Sequence, residues 1–178
     1  MSDFLKELQR RLEWIVDVCG QIGGWVLFAT VALVFVNAFN RYAFAFSPVW
    51  TQELEWHLLA GQGALGIAYA WLHRDHIAVD VFSQRYSRTT HLWMEFLVAV
   101  LIAIPCAIFL IKVSFPYIDR AYDILEGSPN PGGLPWRFVP KSFVALTFAL
   151  VALEAVATAI RTGLELFDPT SGRRAQKR

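Results

Sequence analysis

Hydrophobic positions in this 178-residue chain gather into blocks about as long as a bilayer is thick. A helix rises about 1.5 Å per residue, so roughly 20 apolar residues cross about 30 Å of hydrocarbon. Four stretches fit: Ile22–Phe39 (IGGWVLFATVALVFVNAF), Leu54–Leu72, Leu92–Ile111 and Phe143–Ile160 (FVALTFALVALEAVATAI). With their flanks they predict spans at about 18–40, 52–72, 92–112 and 140–160. Ahead of the first, SDFLKELQRRLEWIVD sets Phe4, Leu8, Leu12 and Ile15 on one helical face and Lys6, Glu7, Arg10 and Glu13 opposite. That pattern predicts an amphipathic helix over residues 1–17, lying in the membrane interface. A cleaved signal peptide is the competing reading, weakened by the long apolar run and the lack of an A-x-A site followed by a soluble sequence. The expected fold class is all-α: an integral membrane protein with a four-helix transmembrane domain at 18–160 and a basic tail at 161–178.

Composition supports the membrane setting. Hydrophobic residues make up 56% of the chain and charged residues 17%, too few charges to cover the surface of a soluble domain of this length. The net charge of +1 conceals a sided distribution and gives no support for a nucleic-acid partner. Eleven of the sixteen Lys and Arg fall in the N-terminal segment (Lys6, Arg10, Arg11), the loop after span two (Arg74, Arg85, Arg88) and the tail (Arg161, Arg173, Arg174, Lys177, Arg178). Because cytoplasmic flanks retain basic residues, both termini are expected in the cytoplasm. The tail could also meet anionic headgroups of membrane lipids, although topology alone accounts for it. Trp14, Trp71 and Trp93 fall at the inner ends of the spans and Trp50, Trp56 and Trp136 at the outer ends, where indole rings prefer to sit. Cys19 and Cys106 read as free thiols.

Within span two, GQGALG (61–66) fits the G-x-G-x-x-G fingerprint of a dinucleotide turn. No strand precedes it, and the fingerprint works only between a strand and a helix. Small residues also let membrane helices approach closely, and Ala60, Gly61, Ala64, Gly66 and Ala68 are spaced for that role, against the chain's own bundle or a partner. Span two opens with SPVWTQELEWH, in which Ser47 is a natural N-cap with Pro48 first in the helix. Glu53 and His57 lie one turn apart and can pair, and Arg41 at the end of span one is a partner for Glu53 or Glu55. A structural ion pair competes here with a proton or substrate relay. Glu154 stands alone inside span four and should face protein rather than lipid.

HRDH places His73 and His76 three apart with Asp75 and Asp80 nearby, spacing that a metal could use, but in a loop without further ligands no metal is assigned. No nucleophile triad, phosphate loop or H-E-x-x-H appears, so no enzyme activity and no cofactor are expected. A membrane anchor subunit of a redox complex is the alternative. Its haem histidines should lie at matching depth inside the bilayer, yet only His57 enters a span. Between spans three and four, PYIDRAYDILEGSPNPGGLPWRFVPK holds five of the eight prolines, which set fixed turns. It is expected to form a shaped outer ledge on which Tyr117, Tyr122, Trp136 and Arg137 could dock a partner.

The stretch NRYAFAFSPVWTQELEWHLLAGQGALGIAYAWLHRDHIAVDVF resembles the signature region of the small membrane subunit, DctQ type, of tripartite ATP-independent periplasmic (TRAP) transporters. The resemblance rests on Asn40, Arg41 and Tyr42; Trp50 and Glu53; Gly66, Ala68 and Tyr69; and His76, Ile77, Val79 and Asp80. SPNPGGLPWRFVPKSFVAL is similar to the mannitol or chloroaromatic subgroup. The resemblance implies a bacterial inner-membrane protein without a transport site of its own. It would brace the scaffold of a large permease subunit during sodium-driven uptake of an organic acid delivered by a periplasmic substrate-binding protein. It also implies packing roles for Arg41 and Glu53, and an inner loop fixed by His76 and Asp80.

Overall fold

The computed structural model describes residues 2–73 and 87–167. Among them are helices and turns and no strand. The helices are α1 (Ser2–Phe44), α2 (Val49–Leu72), α3 (Arg88–Leu97), a π-helical segment (Val98–Ala103), α4 (Ile104–Asp123) and α5 (Phe138–Phe167). The interior is built from small and polar residues. Among the described residues, seven of the nine buried hydrophobic residues are alanine, and the largest fully buried side chains are Glu154, Val16, Thr158 and Thr162. Trp25, Phe28, Phe35, Phe39 and Phe109 face outward. A water-soluble domain does the reverse. Lipid removes the drive to bury apolar side chains, so close backbone approach and polar contacts shape the inside.

Among the described residues, three helices are long and apolar enough to cross a membrane: Asp3–Phe44, the continuous run Arg88–Asp123, and Phe138–Phe167. The expectation from sequence was four. Helix α2 forms as expected but falls short in apolarity, diluted by Gln52, Glu53, Glu55, His57 and Gln62. It begins at Val49 with Pro48 as its cap, one residue later than expected. Ser47 instead accepts from Gln52 Nε2 at 3.0 Å.

The amphipathic segment and the first apolar block are one 43-residue helix, with no break near residue 17. No proline interrupts residues 2–44, and the glycines that might loosen the helix are contact points. A Cβ on Gly20 would lie 2.5 Å from Cβ of Tyr69, and one on Gly23 would lie 3.1 Å from Cβ of Leu65. Val16 is fully buried and forms the core with Ala68 and Leu150. The residues ahead of the apolar block thus already pack against α2 and α5.

Contacts at both ends fix the α1–α2 register as antiparallel: Asp17 meets His73, Gly20 meets Tyr69, and Asn37 meets Glu55. Helix α5 touches each of the other helical segments. Pro105 explains the π turn in part, because it offers no N–H to the carbonyl of Leu101; the Ile104 N–H reaches back to Ala99 O instead. Hydroxyls inside the helices bond one turn back, as with Thr30 to Val26 O and Ser114 to Leu110 O, both near 2.8 Å.

Candidate functional site

Glu53 is the first of two buried carboxylates among the described residues. The α2 helix starts at Val49, so Glu53 lies just past its first turn and aims at the connection between α4 and α5. Its Oε1 accepts from Ser128 Oγ and from Asn130 Nδ2 (3.2 Å), and Oε2 accepts from Leu134 N (2.7 Å). One side chain therefore gathers a segment some eighty residues away. A carboxylate is an acceptor-only group, and three donors from a single loop suit it. The loop closes on itself as well: Ser128 N donates to Leu134 O (3.1 Å), Gly133 N to Asn130 O (3.0 Å) and Arg137 N to Glu126 O (2.8 Å). Gly132 at φ 78° supplies the left-handed turn between them. The ledge expected from proline and glycine content is thus a defined loop fastened to α2.

Next to it, Asn37 of α1 is a second fastener. Its Nδ2 donates to Glu55 Oε1 at 2.8 Å, and its Oδ1 accepts from Thr51 Oγ1 at 3.2 Å. Arg41 was the expected partner of Glu53 or Glu55. It forms no ion pair among the described residues, and its guanidinium lies 5.2 Å from the ring centre of the neighbouring Tyr42. Asn37 is one turn deeper, where a short amide reaches Glu55 and a long guanidinium turns outward. The expected pairing of Glu53 with His57 is also corrected. His57 Nδ1 donates to the Glu53 backbone carbonyl at 2.6 Å, because the carboxylate is turned toward the loop, and Nε2 is buried without a partner among the described residues. Trp50 is exposed at the start of α2.

Glu154, the second buried carboxylate, is fully inaccessible in α5. Its Oε1 accepts from Thr158 Oγ1 at 3.0 Å, while Oε2 has no partner among the described residues. Thr158 accepts in turn from Arg161 Nη2 (3.5 Å), and Arg161 Nη1 meets Glu13 Oε1 of α1 at 3.3 Å. Gln9 donates to the same Glu13 oxygen at 2.9 Å. The run Glu154–Thr158–Arg161–Glu13 crosses from α5 to α1, at the end of the bundle that also holds the ties Asp17–His73 (2.9 Å) and Arg88–Glu165 (3.0 Å). Glu154 is therefore part of a polar seam rather than an isolated charge.

The small residues of α2 divide between faces. Gly61, Ala64 and Ala68 are buried, and a Cβ on Gly61 would lie 3.4 Å from the Phe143 ring. Ala60 is exposed, and a Cβ on Gly66 would meet nothing within 4 Å. The packed stripe thus faces α1 and α5, within this chain. His76 and Asp80 lie outside the described residues. No group of three metal-ligating side chains occurs among the described residues.

A model of the family described as tripartite ATP-independent periplasmic transporters, DctQ component, matches residues 30–163, well over half of the chain. The chain belongs to the DctQ family. No curated protein and no solved structure matches it. DctQ proteins are the small membrane components of TRAP transporters, not enzymes. In this DctQ chain, the matched range holds both buried carboxylates, Asn37 and Arg161, while Glu13, Gly20 and Gly23 precede it. Sequence reasoning missed Asn37, Arg161, Ser128 and Asn130. Asn37 had a signal, as the one amide inside VFVNAF; Gly20 and Gly23 had another, three apart in α1 where α2 offers its own small residues.

Proposed function

We propose that this DctQ chain is the small permease subunit that braces the stationary scaffold of a large TRAP permease subunit. The complex takes up an organic acid with a sodium gradient, after delivery by a periplasmic substrate-binding protein, in the bacterial inner membrane. The observation that carries the scaffold role is where the buried polar groups go. Glu53, Asn37, Arg161 and Glu13 each join one structural element to another, as befits fastening rather than a path for cargo. The loop sequence SPNPGGLPWRFVPK is similar to the mannitol or chloroaromatic subgroup, and that similarity supports reading the chain as one of its members.

Four spans remain the reading we favour. Helix α2 lies beside α1 from the Asp17–His73 contact to the Asn37–Glu55 contact. Those twenty residues of α1 cover about 30 Å, the thickness of the hydrocarbon layer. The polar groups of α2 turn toward α1, α5 and the loop, so a helix too polar to face lipid all round can still cross. Four crossings leave both termini in the cytoplasm with the basic segments, and the first turns of α1 extend into the inner interface beside anionic lipid. Arg41, Trp50, Ala60 and Gly66 then belong to the lateral surface, and His76 and Asp80 to the inner loop.

The test is to tag the C-terminus, extract the chain gently from its native membrane and weigh what co-purifies. A stoichiometric, much larger polytopic partner is expected. Recovery of the chain alone, or with a coloured redox subunit, would overturn the proposal.

A further inference from the structure

Two bulky apolar residues of the outer loop combine a left-handed backbone with solvent exposure. Leu125 has φ 44° and is 64% exposed; Trp136 has φ 65° and is 58% exposed. Positive φ is unfavourable for a bulky side chain, and an exposed one offsets none of that strain by burial. Both are nevertheless held firmly. Leu125 N donates to Tyr122 O (2.9 Å), Glu126 N to Ala121 O (2.9 Å) and Val139 N to Trp136 O (3.0 Å), and the Arg137–Glu126 backbone bond draws the two residues together. Glu53 pins the turn between them. At Leu125 the backbone serves the fold, since its bond to Tyr122 O and that of Glu126 to Ala121 O form the left-handed cap that ends α4; at Trp136 no such cap accounts for the positive φ, and both side chains are presented outward.

Beside Trp136 lies a cavity of about 340 Å³, lined by Tyr117, Glu126, Arg137, Pro140, Lys141 and Val144. Lys141 is committed within it, bonded to Glu126 and 4.2 Å from the Tyr117 ring centre. The Arg137 guanidinium donates no hydrogen bond among the described residues. Its charge feels the Glu53 carboxylate, but both oxygens there are already taken by the loop. A half-buried guanidinium with open donors suits an incoming carboxylate. Trp and Arg on a preformed surface are the side chains that most often dominate protein–protein binding. Asp119, Arg120 and Asp123 separate this ledge from the apolar part of α4, which favours a soluble partner over a membrane helix.

We propose that Leu125, Trp136 and Arg137 form the docking surface for the soluble substrate-binding protein. An Asp or Glu side chain of that partner enters the Arg137 cavity, while Leu125 and Trp136 pack against an apolar rim around it. This rests on the transporter reading above.

The experiment uses the chain together with its large subunit in lipid nanodiscs and measures the affinity of the purified substrate-binding protein across a salt series. Trp136→Gly is the decisive variant, because glycine accepts positive φ without strain. It is expected to keep or raise the melting temperature while weakening docking about tenfold or more. Arg137→Gln should weaken docking severalfold and flatten its salt dependence. A photo-crosslinking residue at position 125 should capture the binding protein. Unchanged docking in both variants, or crosslinks to lipid alone, would overturn the docking surface and leave the scaffold reading standing. If no large subunit accompanies the chain, both proposals fall.

Discussion

Glu53 and Glu154 are both buried carboxylates in an apolar bundle, yet the two ends of the molecule treat them in opposite ways. Where α2 begins, Glu53 receives three hydrogen bonds and organises a loop of prolines and glycines. At the opposite end, Glu154 receives one hydrogen bond and has one oxygen with no partner among the described residues, although it is the more deeply buried of the two. Burial alone therefore does not mark the residue on which the fold depends. What matters is how many groups would be stranded by its loss, since an unsatisfied buried donor costs about 1–3 kcal/mol. Glu53 is a keystone for local structure, and Glu154 is the tolerated end of a seam whose working members are Arg161 and Glu13.

The largest effect should come from Glu53→Ala. Ser128, Asn130 and the Leu134 N–H would lose their acceptor together, and limited proteolysis between 126 and 136 should speed up about tenfold or more. Cleavage at the wild-type rate would erase the contrast. Next is Gly20→Val, which forces a side chain into the space held by Tyr69 and should cost about 1–3 kcal/mol, read as a lower melting temperature of the detergent-solubilised complex. Arg161→Ala should follow at about 1–2 kcal/mol, because it leaves Glu13 with only Gln9. The smallest effect belongs to Glu154→Gln. The Thr158 bond keeps an acceptor and no buried charge remains, so stability should stay within about 0.5 kcal/mol or rise. A loss as large as that of Glu53→Ala would make Glu154 the true keystone.

Much of this architecture can be read in the sequence. Block length predicts helices within α1, α4 and α5, and the prolines of 129–140 predict a fixed loop. The stripe Gly61, Ala64 and Ala68 is visible from spacing alone. Three features are not legible, each for a physical reason. The union of the amphipathic segment with the first apolar block depends on where Val16 and Glu13 meet α2 and α5, contacts that no local pattern encodes. The choice of Asn37 over Arg41 as partner of Glu55 turns on one helical turn of depth and on side-chain reach. The attachment of Glu53 to Ser128, Asn130 and Leu134 joins positions far apart in the chain, and the nearer His57 and Arg41 were the natural guesses.

The central claim is that the buried polar groups of this chain fasten a scaffold and take no part in moving cargo or ions. The most direct measurement is sodium-driven uptake by the reconstituted complex carrying Glu53→Gln or Glu154→Gln, with initial rates divided by the amount of intact complex. The account predicts wild-type rates and wild-type sodium dependence per complex for both variants, with any loss appearing as reduced assembly. A variant that assembles fully yet loses uptake or shifts its sodium dependence would contradict it.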